Sequence, residues 1–257
     1  MSRGLGDVYK RQCQRRSHSA ENQRCCRINS DKKRRDCQSV LTVPVCSGGA
    51  FMQNIDFFRI LTNEIHSVIA ATVDENGLPV TCAMDIMDYD ENSLYFLTAK
   101  GKGFYRRLKQ REYIALTGMK GDDTMSRTAL SIRGKVKEIG THRLPLLFEK
   151  NSYMREIYPT AESVSALTVF QIYEGSGEWF DLSKKPIERV TFTFGGADEK
   201  ESGYYINAEC NGCKACQKVC PQSCIDFVGG KAVIRQENCL QCGNCLNICP
   251  VGAVKIR

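Results

Sequence analysis

The chain has 257 residues, 42% of them hydrophobic and 25% charged, with a formal net charge of +7. That length holds one large domain or a medium domain plus a small one, and no window approaches the roughly 18 uncharged apolar residues of a membrane span. The charge excess does not make a nucleic-acid binder: residues 1–51 hold 11 Lys/Arg against 4 Asp/Glu, and all later residues together hold 25 of each.

Residues 1–51 show neither a helical nor a strand period of apolar residues. "GLGDVYKRQ" resembles read-through of a sequencing adapter, so this segment is expected to be an artefactual, unstructured extension with Met52 as the true start. No apolar leader precedes it, and a cytoplasmic location is the expectation.

From Met52 the pattern becomes orderly. Ile55, Phe58, Leu61 and Ile65 share one face of a helix. Residues 67–99 then predict three strands, with turns at Glu75-Asn76-Gly77 and Asp90-Glu91-Asn92. "GFYRRLKQ" predicts a short helix, and "EYIALTGMK" and "TALSIRGKVKEIG" two further strands. "RLPLLFEKNSYMREIY" predicts one longer helix, and "LTVFQIYEGSGEWFDL" and "ERVTFTFG" close the set. An antiparallel meander with few helices implies a small barrel over residues 52–195. A Gly-rich, charged linker follows at 196–202, and a separate module at 203–257.

That last module holds the clearest chemistry. Of 15 cysteines, nine lie in the final 48 residues, and eight of these follow C-x2-C-x2-C-x3-C-P twice, as "CNGCKACQKVCP" and "CLQCGNCLNICP". Three thiolates of such a run wrap one iron–sulfur cluster, while the fourth, followed by Pro, serves the other. Two [4Fe–4S] clusters are therefore expected by ligand exchange. The first is held by Cys210, Cys213, Cys216 and Cys249, the second by Cys239, Cys242, Cys245 and Cys220. A zinc site is the alternative, but paired cysteines suffice for zinc and it needs neither the third Cys nor the C-P ending. Cys224 stands outside the pattern and is expected to be a small buried side chain. Residues 203–257 resemble the bacterial two-cluster ferredoxins, small α+β domains, at every motif cysteine and both prolines.

In the barrel region, "SLYFLTAKGKGFYRRLKQREYIAL" places a Thr hydroxyl and two Lys among glycines at a helix start. Backbone amides there can meet an anion. Residues 52–195 resemble the flavin-binding split barrels that include pyridoxamine 5′-phosphate oxidase, a mainly β fold. The resemblance implies FMN, with Thr98, Lys100 and Lys102 at its phosphate, Trp179 and Arg189 as further contacts, and a homodimer. The positions where the oxidase holds its own substrate align with Lys185 and Ile187, and an Ile cannot hydrogen-bond a polar substrate. His66 and His142 read as ordinary polar residues, and no catalytic residue emerges. That fits chemistry carried by a cofactor.

The leading function is an iron–sulfur flavoprotein oxidoreductase. It would pass electrons between two clusters and FMN, to or from a small-molecule substrate or an external redox protein, with neither nucleic acid nor membrane as partner. The alternatives are a non-catalytic electron-transfer protein and a flavin- or haem-binding sensor with the barrel as a docking module.

Overall fold

The computed structural model describes residues 52–199 and 202–257; the expectations for residues 1–51 lie outside it. The chain opens with helix α1 (Asn54–Arg59), which runs on into a wider π turn at Ile60–Ile65. The extra residue per turn shifts the apolar face. Phe57, Phe58, Ile60 and Leu61 are the buried residues, whereas Ile55 and Ile65 are only half-buried. The single face expected from 3.6-residue periodicity is corrected accordingly.

Strands β1 (Ser67–Val73), β2 (Pro79–Asp85), β3 (Asp88–Tyr89), β4 (Leu94–Ala99), β5 (Tyr113–Lys120), β6 (Thr128–Gly140), β7 (Leu167–Asp181) and β8 (Glu188–Phe194) form one antiparallel sheet. Their order is β2-β1-β5-β6-β7-β4-β3, with β8 also on β7. Strand β7 is the pivot. Its first half pairs with β4 and its second half with β8, while β6 follows both halves. The change of partner falls beside a register shift at Lys135/Val136. Gly134 and Gly175 face each other there, and a Cβ on Gly175 would stand 2.3 Å from the Arg133 carbonyl oxygen. Two glycines thus let the strands close up where the sheet divides. The product is a mainly β split barrel.

One face of this sheet packs on α1. Phe57 stacks on Phe192 at 4.4 Å between ring centroids, and Phe58 meets Phe194 edge-on at 5.1 Å. Helix α2 (Gly103–Arg111) closes the same core with Phe104 and Leu108. A second apolar cluster joins β4 and β7 to α3 (Leu144–Lys150) and α4 (Met154–Ile157) through Tyr95, Leu147, Phe148, Met154 and Val169. Strand β4 is thus covered on both faces, which explains its unbroken apolar run. A further short helix, α5 (Ala161–Ser165), precedes β7.

The one long helix expected over residues 143–158 is two short ones. Asn151 leaves helical geometry at φ −126°, ψ 71°, and its buried amide donates to the Leu147 and Met87 carbonyls. A side chain that bonds its own backbone competes with the helix and ends it.

The last module is built as two halves. Strand β9 (Tyr204–Ile206) pairs with β12 (Val254–Ile256), and β10 (Ile225–Val228) with β11 (Lys231–Ile234). Helices α6 (Ala215–Val219) and α7 (Asn244–Ile248) each follow the first two cysteines of a motif.

Asp88 of β3 anchors α3 to the sheet. Its carboxylate is 1% exposed, takes a 2.8 Å hydrogen bond from Arg143 and is paired with Lys150. Arg143 also lies 3.6 Å over the Tyr95 ring. Burial pushes the Asp88 carboxyl up, but Lys150 and Arg143 outweigh it and hold it below the usual carboxylate range. Such a group stabilises fully above its unfolded pKa of about 3.9, and the contribution is lost as pH falls through the depressed folded value. Asp88→Asn is expected to cost about 2–3 kcal/mol at pH 7, the loss of hydrogen bonds to charged partners. Urea unfolding of both proteins should show that gap shrinking below about pH 4.

Candidate functional site

The cysteines of the module fall into two groups. Cys210, Cys213, Cys216 and Cys249 line one small cavity, with Ile206, Phe227 and Val254 around them. Cys239, Cys242, Cys245 and Cys220 line a second, together with Cys224, Ile225 and Ile234. The fourth cysteine of each motif thus stands among the first three of the other.

Backbone amides point at the crossing sulfurs. Ala253 N donates to Cys249 Sγ at 3.2 Å, and Cys224 N donates to Cys220 Sγ at 3.4 Å. Ala232 N donates to Cys210 Sγ at 3.4 Å. Burial pushes the Cys220 and Cys249 thiols up, but these and neighbouring amides outweigh it and leave both below the ordinary thiol value. Donors aimed at sulfur stabilise thiolate, the form that binds metal. Lys214 and Gly243, equivalent in the repeat, both take left-handed backbone (φ 62° and 80°) to start α6 and α7.

Among the described residues, no three Cys, His or carboxylate groups converge closely enough to hold one metal ion. Tetrahedral zinc at about 2.3 Å from each sulfur would need its thiolates within roughly 3.8 Å of one another. Cys224 is 2% exposed, with its Sγ 3.4 Å from Cys220 Sγ. It is buried beside the second cradle, as its sequence context implies.

In the barrel, Thr98 is buried in β4 opposite Thr168. Lys100 and Lys102 are exposed in the turn before α2, and Lys102 is its N-cap residue. The fold adds two cations that the loop motif did not reveal. A Cβ on Gly103 would lie 3.1 Å from one Arg107 guanidinium nitrogen and 3.8 Å from one of Arg106. Arg107 is held in place by Thr72, whose hydroxyl accepts from its Nε at 2.8 Å. The signal lay in the spacing: residues three and four after the helix start return to the first turn. The α2 entrance therefore gathers four positive side chains around free amides, a chemistry suited to a phosphate.

A groove of about 520 Å³ crosses the outer face of β1, β5, β6, β7 and β8, floored by Ile69, Ala115, Thr117, Ser131, Glu178 and Arg189. Arg189 is 12% exposed and donates to Glu178 Oε2 at 2.8 Å. The Gln241 side-chain amide lies against the same guanidinium; turned so that its oxygen faces it, it accepts from Arg189 Nη1 at 2.7 Å. Gln241 sits between Cys239 and Cys242. One guanidinium thus touches both the groove and a cluster loop.

Trp179 is paired across the ribbon with Val190, one residue out of phase with Arg189, and packs in the core 6.1 Å from Phe57. Strand alternation therefore places Trp179 and Arg189 on opposite faces of the ribbon. Ile187, aligned with an oxidase substrate position, is tied to the module: its N–H donates to Gln222 Oε1 at 3.0 Å, and its carbonyl accepts from Asn238 Nδ2 at 3.2 Å. His66 belongs to a polar cluster in which Tyr153 donates to Asp85 at 2.7 Å and stands 3.0 Å from the imidazole.

Two family models match the chain. Residues 56–175 match "Pyridoxamine 5'-phosphate oxidase", and residues 209–253 match "4Fe-4S dicluster domain". A curated relative, one component of the ion-translocating oxidoreductase complex of Methanosarcina acetivorans, is 46% identical over 48 residues, which is 19% of this chain and 18% of that protein. The chain thus spans less than a fifth of that relative's length. An uncharacterized ferredoxin of Methanocaldococcus jannaschii is 40% identical over 46 residues, 18% of this chain and 74% of that ferredoxin. Among solved structures, a NimC/NimA family protein from Clostridium acetobutylicum shares 15% identity at a TM-score of 0.43, covering 52% of this chain and 88% of the other. A pyridoxamine 5′-phosphate oxidase-related, FMN-binding protein from Nostoc punctiforme shares 14% at 0.40, covering 53% and 86%. In its last module the chain belongs to the ferredoxins with two [4Fe–4S] clusters, and a pyridoxamine 5′-phosphate oxidase-type domain precedes that module. Among the described residues no helix is long and apolar enough to cross a membrane.

Crossed cysteines make a sharp expectation. Cys220→Ser should reduce the cluster content on the side of Cys239, distant in sequence, while Cys224→Ser leaves both clusters present. Iron and sulfide analysis with EPR of the reduced protein distinguishes the two sites. Damage confined to the neighbouring Cys210 side would contradict the crossing.

Proposed function

We propose that this chain is an iron–sulfur flavoprotein oxidoreductase that moves electrons between two [4Fe–4S] clusters and FMN. The observation that carries this reading is Arg189, which lines the barrel groove and reaches Gln241 in the loop between two cluster cysteines. When bound, the clusters supply single-electron steps, and FMN exchanges one electron or two.

The remaining work belongs to the chain's own residues. Cys210, Cys213, Cys216 and Cys249 hold one cluster, and Cys239, Cys242, Cys245 and Cys220 the other. The amides of Cys224, Ala232 and Ala253 orient the sulfurs and lower the charge they present. Lys100 and Lys102, joined by Arg106 and Arg107, bind the FMN phosphate at the start of α2. Glu178 fixes the Arg189 guanidinium in the groove wall.

Thr72, which holds Arg107, and Ala71, which lines the groove, are neighbours on β1 and point to opposite faces. The phosphate loop and the groove of one chain therefore do not meet. A homodimer brings the loop of one copy to the groove of the other, so the site is completed between subunits. Pyridoxamine 5′-phosphate oxidation itself is not the activity, because Ile187 offers a substrate only an apolar side chain and its backbone is taken up by Gln222 and Asn238. None of the ten described cysteines forms a disulfide, which fits a reducing compartment such as the cytoplasm.

The test lies in the phosphate. Charge-assisted contacts of this kind are worth roughly 1.5–3 kcal/mol each. Lys100→Ala/Lys102→Ala should therefore weaken FMN binding at least about tenfold. Riboflavin, without the phosphate, should bind both proteins almost equally under anaerobic titration. Equal losses for both flavins would make the loop a shaping element of the barrel, and undiminished FMN affinity would place the phosphate elsewhere.

A further inference from the structure

The two halves of the module are offset by 29 residues, so each of residues 203–228 has a counterpart in 232–257. The side chains that tie the module to the barrel, Gln222, Asn238 and Gln241, all border the second cradle. Their counterparts are Val251, Glu209 and Gly212, which flank the first cradle and meet no part of the barrel in these contacts. Val251 lines that cavity and is 39% exposed. Gly212 packs under the β10–β11 turn, where a Cβ would meet the Gly230 carbonyl oxygen at 2.2 Å. The repeat has been specialised: one rim faces the barrel and the other faces solvent.

The solvent-facing rim also carries a distinct charge. Lys214 lines the first cavity and is exposed, and Lys218 is exposed on α6. Their counterparts in the second half are the neutral Gly243 and Asn247. Lys231, at the adjoining turn, is exposed and donates to the Ala208 carbonyl at 3.0 Å. Against these three stands Glu209, whose carboxylate is engaged by Asn207 at 3.1 Å. Beside them Val228 is 68% exposed and Cys213 lies open at the surface. A small apolar centre with a positive border suits a negatively charged protein partner.

We infer that a small acidic one-electron carrier protein docks on the rim of Lys214, Lys218 and Lys231. Electrons cross the chain in a fixed order: carrier, the cluster of Cys210, the cluster of Cys239, then the groove at Arg189. In the first step one electron leaves the reduced carrier and arrives on the outer cluster; no bond forms or breaks and no proton moves. This rests on the reading that both clusters serve the barrel.

The test mixes the cluster-loaded full chain anaerobically with a reduced acidic flavodoxin and follows cluster bleaching by stopped flow. The wild-type rate should fall steeply with salt, as steered encounters do. Lys214→Glu/Lys231→Glu should react at least about tenfold more slowly at low salt and lose most of that salt dependence. Reduction by dithionite, which needs no docking, should stay within about twofold of wild type. If the reversed variant fails to load iron, Lys214→Gln/Lys231→Gln removes the charges without adding new ones and should still slow the carrier alone. Wild-type rates in a loaded variant, or equal slowing with dithionite, would overturn the inference. The readout is the clusters, so a chain that took up no FMN would sink the flavin reading and leave this result standing. A failure here with FMN bound would remove only the docking surface.

Discussion

Each half of the cysteine-rich module lends its fourth cysteine to the cradle lined by the other half. Cys249 completes the cradle of Cys210, Cys213 and Cys216, and Cys220 completes that of Cys239, Cys242 and Cys245. Neither motif lines its cradle alone, so the two halves of some fifty residues must fold together to form either one. The core there is small, built from Ile225, Ala232, Ile234 and Val254 around the cysteines themselves. A core of this size is marginal by itself, and bound clusters offset what it lacks.

That constraint reaches the barrel through a short contact. The turn between β7 and β8 lends the Ile187 backbone to Gln222 and Asn238, and β8 sets Arg189 against Gln241. All three partners lie within two residues of a cysteine of the second cradle. Any shift of those loops is therefore passed to the wall of the groove. The segment around Ile187 is held by the module.

Much of this was legible in the sequence. The doubled C-x2-C-x2-C-x3-C-P spacing states its own geometry, because ligation is set by local turns. Most strands followed from period-two runs and Gly-containing turns, but residues 67–99 hold four strands rather than three, and β1 pairs with β5 and β4 with β7, so the sheet is not the expected meander. What escaped depends on contacts distant in the chain or on small departures from ideal helices. The π turn after Arg59 brings Ile60 into the buried face beside the expected Phe58 and Leu61. Asn151 broke a helix by bonding a carbonyl on β3's approach, Met87. Trp179 kept the expected spacing from Arg189, but strand alternation sent the indole inward toward Phe57. Arg106 and Arg107 were not singled out in the sequence; the helix returns them to the turn of Lys100 and Lys102.

The central claim is that clusters and flavin reside on one chain and share electrons. Its most direct measurement is an anaerobic absorption titration with a one-electron donor, with iron, sulfide and flavin quantified on the same sample. The account predicts about eight irons and eight sulfides per chain, as two four-iron clusters require, with one FMN bleaching in the same titration. A protein carrying its full iron but no flavin, or a flavin left oxidised while both clusters are reduced, would contradict it.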